Sequence, residues 1–195
     1  MSGPAHTSVA TYLNNLALVL REQGDLAGAK TLFERAVAID EAAYGPNHPE
    51  VAIDINNLGG VLQSQGDLAG AKALYERALT IDEAALGPNH PSVAIRLNNL
   101  GGVLESQGNL AGAKALYERA LEISEAALGP NHPSVAIRLN NLGFVLESQG
   151  DLAGAKALYQ RSLRIFRESL GDDHPSTRNV QDNLRLLEEN LKNAE

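Results

Sequence analysis

The chain has 195 residues, 44% of them hydrophobic but only 4% aromatic, and a formal net charge of −8. That charge excludes general nucleic-acid binding, which needs a basic face, and disfavours an anionic membrane surface. With no cysteine, disulfides, thiolate zinc sites and a cysteine nucleophile are excluded too.

The apolar residues are mostly Ala, Leu, Val and Ile, and Ala and Leu favour helix. The opening Met1-Ser2-Gly3-Pro4-Ala5-His6 has neither the basic nor the apolar region of a signal peptide. No stretch approaches the ~18 apolar residues of a membrane span. The expectation is a soluble, cytoplasmic protein that partners neither membrane nor nucleic acid. The first repeat begins at a repeat boundary, which favours a free-standing or trimmed array.

The chain is one segment written four times. Gly3-Pro4-Ala5-His6-Thr7 opens the first copy, residues 3–44, with helices expected near residues 6–23 and 25–43. An intact Gly-Pro-Asn-His-Pro follows at residues 45–49, 87–91 and 129–133, and a degraded copy at 171–175, always 42 residues apart. The second copy, residues 45–86, shows the design most clearly. Pro49 suits the first position of a helix and places His48 near its N-cap. Val51, Ile55, Leu58 and Leu62 form a helical stripe, and Gly66 ends the helix. Asp67 then caps a second helix with a stripe of Leu68, Ala71, Leu74, Tyr75, Ala78, Leu79 and Ile81. A connection of two residues, Gly66-Asp67, makes the helices antiparallel neighbours. Gly59 inside a helix costs about 1 kcal/mol against Ala, which close helix packing would offset.

The third copy, residues 87–128, differs from the second at the equivalents of positions 50, 54, 55, 63, 67, 80 and 82. All but one of these exchanges put one polar residue for another, so a copied core and a drifting surface are expected; Asp82 and Glu83 read as solvated. The fourth copy, residues 129–170, departs at Phe144 and again from Gln160 to Ser169. The tail, residues 174–193, reads as a lone capping helix with Val180, Leu184, Leu187 and Leu191 on one side. The fold class expected is an all-α solenoid: antiparallel helix pairs in four 42-residue repeats plus a C-terminal capping helix, one domain over residues 3–193.

Leu58-Gly59, Leu62, Gly66-Asp67, Ala71, Tyr75 and Ala78 resemble the tetratricopeptide repeat (TPR), although that repeat's period is about 34 residues. Leu97-Asn98-Asn99-Leu100, the run from Tyr117 to Ile123 and the His-Pro turn at residues 129–133 are similar to kinesin light chain and its prokaryotic relatives. The resemblance implies a right-handed superhelix whose first helices line a concave groove. On that mapping the groove positions are Thr11, Asn14, Leu18, Arg21 and Glu22 in the first repeat. They are Ile53, Asn56, Gly60, Gln63 and Ser64 in the second, and Ile95, Asn98, Gly102, Glu105 and Ser106 in the third. In the fourth they are Ile137, Asn140, Phe144, Glu147 and Ser148.

The doublets Asn14-Asn15, Asn56-Asn57, Asn98-Asn99 and Asn140-Asn141 stand out, because Asn is a poor residue inside a helix. A carboxamide both donates and accepts, as a peptide backbone does, so Asn14, Asn56, Asn98 and Asn140 are candidates to hold an extended peptide. Asn57, Asn99 and Asn141 face either that ligand or the next repeat. The bland alternative is that the doublets fix repeat stacking. Gly60 and Gly102 leave gaps for a ligand side chain, and Phe144 is either an aromatic anchor or end packing. With Gln63, Glu105 and Glu147 on the groove, the expected partner is a neutral or basic protein segment. The histidines of the turns lie on the order of 10 Å apart in stacked repeats, too far to share a metal ion, and read as structural. No nucleophile–base set, P-loop or dinucleotide fingerprint is present, so no enzymatic role, cofactor or metal is expected. The alternative to a peptide-binding scaffold is a consensus-like structural array that associates end to end.

Overall fold

The structure, a computed structural model, describes residues 4–193, with side chains from residue 7 onward. His6, the first of the histidine row, lies outside the described side chains. The described residues form nine α-helices and no strand. They are α1 (Pro4–Glu22), α2 (Leu26–Tyr44), α3 (Pro49–Ser64), α4 (Leu68–Leu86), α5 (Pro91–Ser106), α6 (Leu110–Leu128), α7 (Pro133–Ser148), α8 (Leu152–Leu170) and α9 (Pro175–Asn193).

Two alternating caps set this order. The even helices α2 to α8 begin after Asp25, Asp67, Asn109 and Asp151, whose side chains accept from the N–H groups of Gly28, Gly70, Gly112 and Gly154. The helices α3, α5 and α7 begin with Pro after His48, His90 and His132, whose Nδ1 atoms accept from the backbone N–H two residues on at 3.2, 3.2 and 3.1 Å. His174 Nδ1 does the same for Ser176 at 3.2 Å. The turn histidines are therefore helix caps. Gly24, Gly45, Gly66, Gly87, Gly108, Gly129, Gly150 and Gly171 follow α1 to α8 in turn, all with φ between 78° and 89°. Only glycine takes that conformation without strain. Their spacing is constant (45 − 24 = 21), so the helix ends keep a beat of half a repeat.

The chain divides into two compact bodies, one reaching to Gln107 and one beginning at Gly108. In the first body α1 pairs with α2 and α3 with α4, while α2 packs on α3 and α4 on α5. Ala29 and Phe33 of α2 meet Ala17 of α1 and Leu58 and Val61 of α3; Val51, Ala52 and Ile55 of α3 meet Ala78 and Ile81 of α4. In the second body α6 packs on α7, α7 pairs with α8, and α8 carries α9. Its core gathers Val135, Leu139, Tyr159, Ile165 and Phe166 with Val180 and Leu187 of α9. A Cβ on Gly59 would stand 2.8 Å from Tyr75 Cε1, and one on Gly143 2.8 Å from Tyr159 Cε1. The close helix packing expected at Gly59 is present, and the tyrosine ring is what fills it.

The expected drift of the surface fails at two of the six polar exchanges: Asp54 and Asp82 are buried, as are their counterparts Arg96 and Ser124. Ile55 and its counterpart Leu97 are buried as the apolar stripe requires. Asp82 is 1% exposed and ion-paired rather than solvated. The reason is geometric: a first helix packs both on its own partner and on the second helix of the preceding repeat. Its buried arc is wider than one apolar stripe.

Candidate functional site

The first helices α3, α5 and α7 each show one isoleucine to solvent: Ile53 is 42%, Ile95 43% and Ile137 42% exposed. Phe144, two turns along α7 from Ile137, is 45% exposed. Beside them run the Asn doublets, and the hydrogen bonds explain why Asn is placed in a helix. Asn99 Nδ2 donates to Asn56 Oδ1 at 2.9 Å in the first body. In the second, Asn183 of α9 occupies the doublet's second position and donates to Asn140 Oδ1 at 3.0 Å. In these two places the second amide is tied to the first amide of the repeat before it, whereas Asn14 Oδ1 has no partner. Asn56 is nearly buried by this contact, whereas Asn57, Asn98, Asn140 and Asn141 are half-buried. Asn14, also half-buried, donates to the Asp54 carboxylate.

The acidic and amide positions at the far end of these helices are also engaged. Tyr75 donates its hydroxyl to Gln63 Oε1 at 3.2 Å, and Tyr159 donates to Glu147 Oε2 at 2.9 Å. Burial pushes the Tyr75 hydroxyl up to about 12, against the opposing effect of Arg21. Glu105 is half-buried. The gap expected at Gly60 is not open: a Cβ there would lie 3.3 Å from an Arg21 guanidinium nitrogen. In the second body a cleft of about 380 Å³ opens beside Ile137. Asn140, Ser176 and Asn179 give it polar edges, and Phe166 and Val180 give it an apolar side.

Beneath the exposed row lies a set of contacts that reading single stripes did not find. At each joint between repeats, a buried residue of the second helix is matched by another buried residue fourteen positions later, on the next first helix. The pair is Asp40 and Asp54 between α2 and α3, then Asp82 and Arg96 between α4 and α5. It is Ser124 and Arg138 between α6 and α7, and Phe166 and Val180 between α8 and α9. All eight residues are buried. Arg96 Nε donates to Asp82 Oδ2 at 2.9 Å. Arg138 has no such carboxylate: the Ser124 hydroxyl turns to the Ala120 carbonyl at 2.7 Å. Arg138 Nη1 instead donates to the Ser134 carbonyl at 3.2 Å, and its buried Nε has no partner. Burial pulls the Arg138 guanidinium below its ordinary value. The signal for this set was present in the sequence, since the paired positions change chemistry together.

The first helix α1 ends the series differently. Val9, Tyr12, Leu16 and Val19 are 42–72% exposed, while their equivalents Val51, Asp54, Leu58 and Val61 are buried. At the other end α9 carries Arg178, Arg185 and Glu188 where α7 carries Ala136, Gly143 and Leu146, so its far side is polar. Among the described residues no group of three or more His, Asp or Glu side chains is placed to hold a metal ion. No described helix is long and apolar enough to cross a membrane.

Antiparallel helix pairs on a 42-residue period, with Leu-Gly in the first helix and an aromatic between two alanines in the second, define a helical repeat protein. The tetratricopeptide repeat family model matches residues 8–83, 53–126, 96–163 and 137–187, and the chain belongs to that family. Comparison with the curated proteins finds no match. Among solved structures, BtubC (BKLC) from P. vanneervenii is similar with a TM-score of 0.82 and 23% identity, over 94% of this chain and 73% of that one. A putative kinesin light chain of Podosopora anserina with nearly identical TPR-like repeats is similar with a TM-score of 0.77 and 24% identity, over 94% of this chain and 87% of that one. A substituted form of that same protein gives a TM-score of 0.78. At these identities the likeness concerns the fold, which is that of kinesin light chain-like repeats.

Proposed function

We propose that this chain is a protein-binding scaffold without catalytic activity, acting in the cytoplasm on an extended, neutral or basic segment of a partner protein. In the second body the segment lies along α7 and α9. The observation that carries the reading is the cleft beside Ile137, where exposed apolar side chains adjoin half-buried amides. An apolar side chain of the ligand enters that cleft and Phe144 covers its neighbour. Asn140 and Asn179 bond the backbone between them, as carboxamides can. Asn98, Asn57 and Asn141 are offered the same role in their repeats. Asn56 and Asn99 act chiefly by holding α3 against α5, because they bond each other. Net charge −8 favours basic segments over acidic ones.

The test is a peptide-array screen followed by fluorescence polarisation with the best segment. Ile137→Glu and Phe144→Ala are expected to weaken binding at least tenfold, about 1.4 kcal/mol, with the melting temperature unchanged. Unchanged affinity in both variants would sink the reading. A second reading, self-association of a structural array, is favoured by the exposed Val9, Tyr12, Leu16 and Val19 on α1. Because the far side of α9 is polar, that association joins α1 to α1 rather than end to end. Light scattering over a concentration series tests it: a mass that rises, and stops rising in Leu16→Glu, supports it, and a constant monomer mass overturns it.

A further inference from the structure

We propose that the joint between α2 and α3 is held shut by a single proton shared between Asp40 and Asp54, and loosens when that proton leaves. The two carboxyl groups are buried, at 6% and 2% exposure, and face each other across the joint at the positions that Asp82 and Arg96 take in the next one. Two carboxyl groups so placed bond to each other only if one of them carries a proton, because an ionised carboxylate can only accept. The remaining donor is the Asn14 amide, which bonds Asp54 from α1. Asp40 Oδ1 and Asp54 Oδ2 are buried with no partner of their own. The next joint in the same body has the same carboxylate at residue 82, but there Arg96 neutralises it at 2.9 Å. At α2 and α3 no guanidinium takes that place, and a proton is the counter-ion the geometry admits.

The charged groups that act on the pair pull in opposite directions. Glu50, in the first turn of α3, adds negative charge near both carboxyls, and His48, the cap of the same helix, opposes it at Asp40. Burial raises Asp54 to about 7 and raises Asp40 as well, with the Asn14 bond working against the rise at Asp54. The folded state therefore binds the proton more tightly than the unfolded chain, whose aspartates titrate near about 4. The stabilisation is complete below that lower value and is lost as pH rises through about 7. Loss of the proton leaves two buried anions facing each other, an arrangement in which like charges disfavour full ionisation. The first helix pair is then free to shift against α3, and with it the Asn14 contact.

The experiment compares the full chain with its Asp54→Asn variant, which keeps the shape of the protonated group and cannot ionise. Amide exchange and urea unfolding are followed from about pH 5.5 to about pH 8.5. The ratio of variant to wild type is the informative quantity, because pH effects common to both chains cancel in it. The folding equilibrium constant of the variant relative to wild type is expected to rise at least about tenfold across the range, as a shift of more than one pKa unit requires. A flat ratio overturns the proposal. Should Asp54→Asn fail to fold, carbon NMR of the Asp54 carboxyl in the wild-type chain decides. A midpoint near 7 supports a held proton, and a midpoint near the ordinary aspartate value of about 4 overturns it.

Discussion

Exchanging the chemistry of two joints offers the sharpest test of what the buried polar pairs do. Asp82→Ser converts the α4–α5 joint into the pair found between α6 and α7, and Ser124→Asp does the reverse. Arg96 is 5% exposed and Asp82 1%, so the pair is fully desolvated. Removing one partner of such a pair costs roughly 3–5 kcal/mol, because the other charge stays buried. The second body shows how much of that can be recovered. Arg138 bonds the carbonyl of Ser134, and Ser92 stands at the equivalent place before Arg96. A hydrogen bond from a charged group is worth about 1.5–3 kcal/mol, which leaves a net cost of about 2 kcal/mol for Asp82→Ser. Ser124→Asp gives Arg138 the carboxylate its Nε lacks, against the cost of burying a second charge, and about 1 kcal/mol of stabilisation is expected. Repeat arrays do not always unfold as one unit, so the assay is site-resolved amide exchange: α4 and α5 for the first variant, α6 and α7 for the second. Exchange should speed up in the first pair and slow in the second. Both variants lying within about 0.5 kcal/mol of wild type, the ordinary range for surface changes, would refute the claim that charge in these joints matters.

Two further outcomes follow from packing and capping. Gly143→Ala places a Cβ 2.8 Å from the Tyr159 ring, and overpacking of this kind costs about 1–3 kcal/mol; urea midpoints measure it, and relief in Gly143→Ala with Tyr159→Leu checks the cause. His132→Ala removes the Nδ1 acceptor for the Ser134 N–H and should cost about 0.5–2 kcal/mol, seen as faster exchange in the first turn of α7 but not of α5.

Helix positions were legible in the sequence because the signals are local. Asp67 is an N-cap, Pro49 a first position and Gly66 a left-handed stop, and each acts within a few residues of itself. The expected ends fall within two residues of those observed, as with α3, which runs to Ser64 rather than Gln65. The doublets were visible as an anomaly, but their partner was not: the bond from Asn99 to Asn56 spans 43 residues. Asp54, Asp82 and Arg96 escaped for a related reason. A stripe drawn through Val51, Ile55, Leu58 and Leu62 describes contact with one neighbour, and α3 has a neighbour on each side. Reading residue 40 against 54, 82 against 96, 124 against 138 and 166 against 180 recovers the missing face.

Those four pairs bear on whether the α2–α3 carboxylates are a requirement of the fold. One position in one repeat geometry accepts two carboxyls, an ion pair, a hydroxyl beside a guanidinium, and two apolar side chains. The backbone around them keeps the same caps, and α3, α5 and α7 have the same length. The pairs do not dictate which helix follows which either, since Asp40 facing Arg96 would be a better match than Asp40 facing Asp54. Order comes from connection: residues 45–48 between α2 and α3 are too few to let another helix intervene. The pairs are thus free to vary in chemistry once the chain has placed them. If that is right, Asp54→Arg should install at α2–α3 the ion pair already present at α4–α5. It should also remove the pH dependence while raising stability at alkaline pH by about 1–3 kcal/mol. Measured in urea at about pH 8.5, a variant no more stable than wild type would mean that the two joints differ in more than the residue at this position.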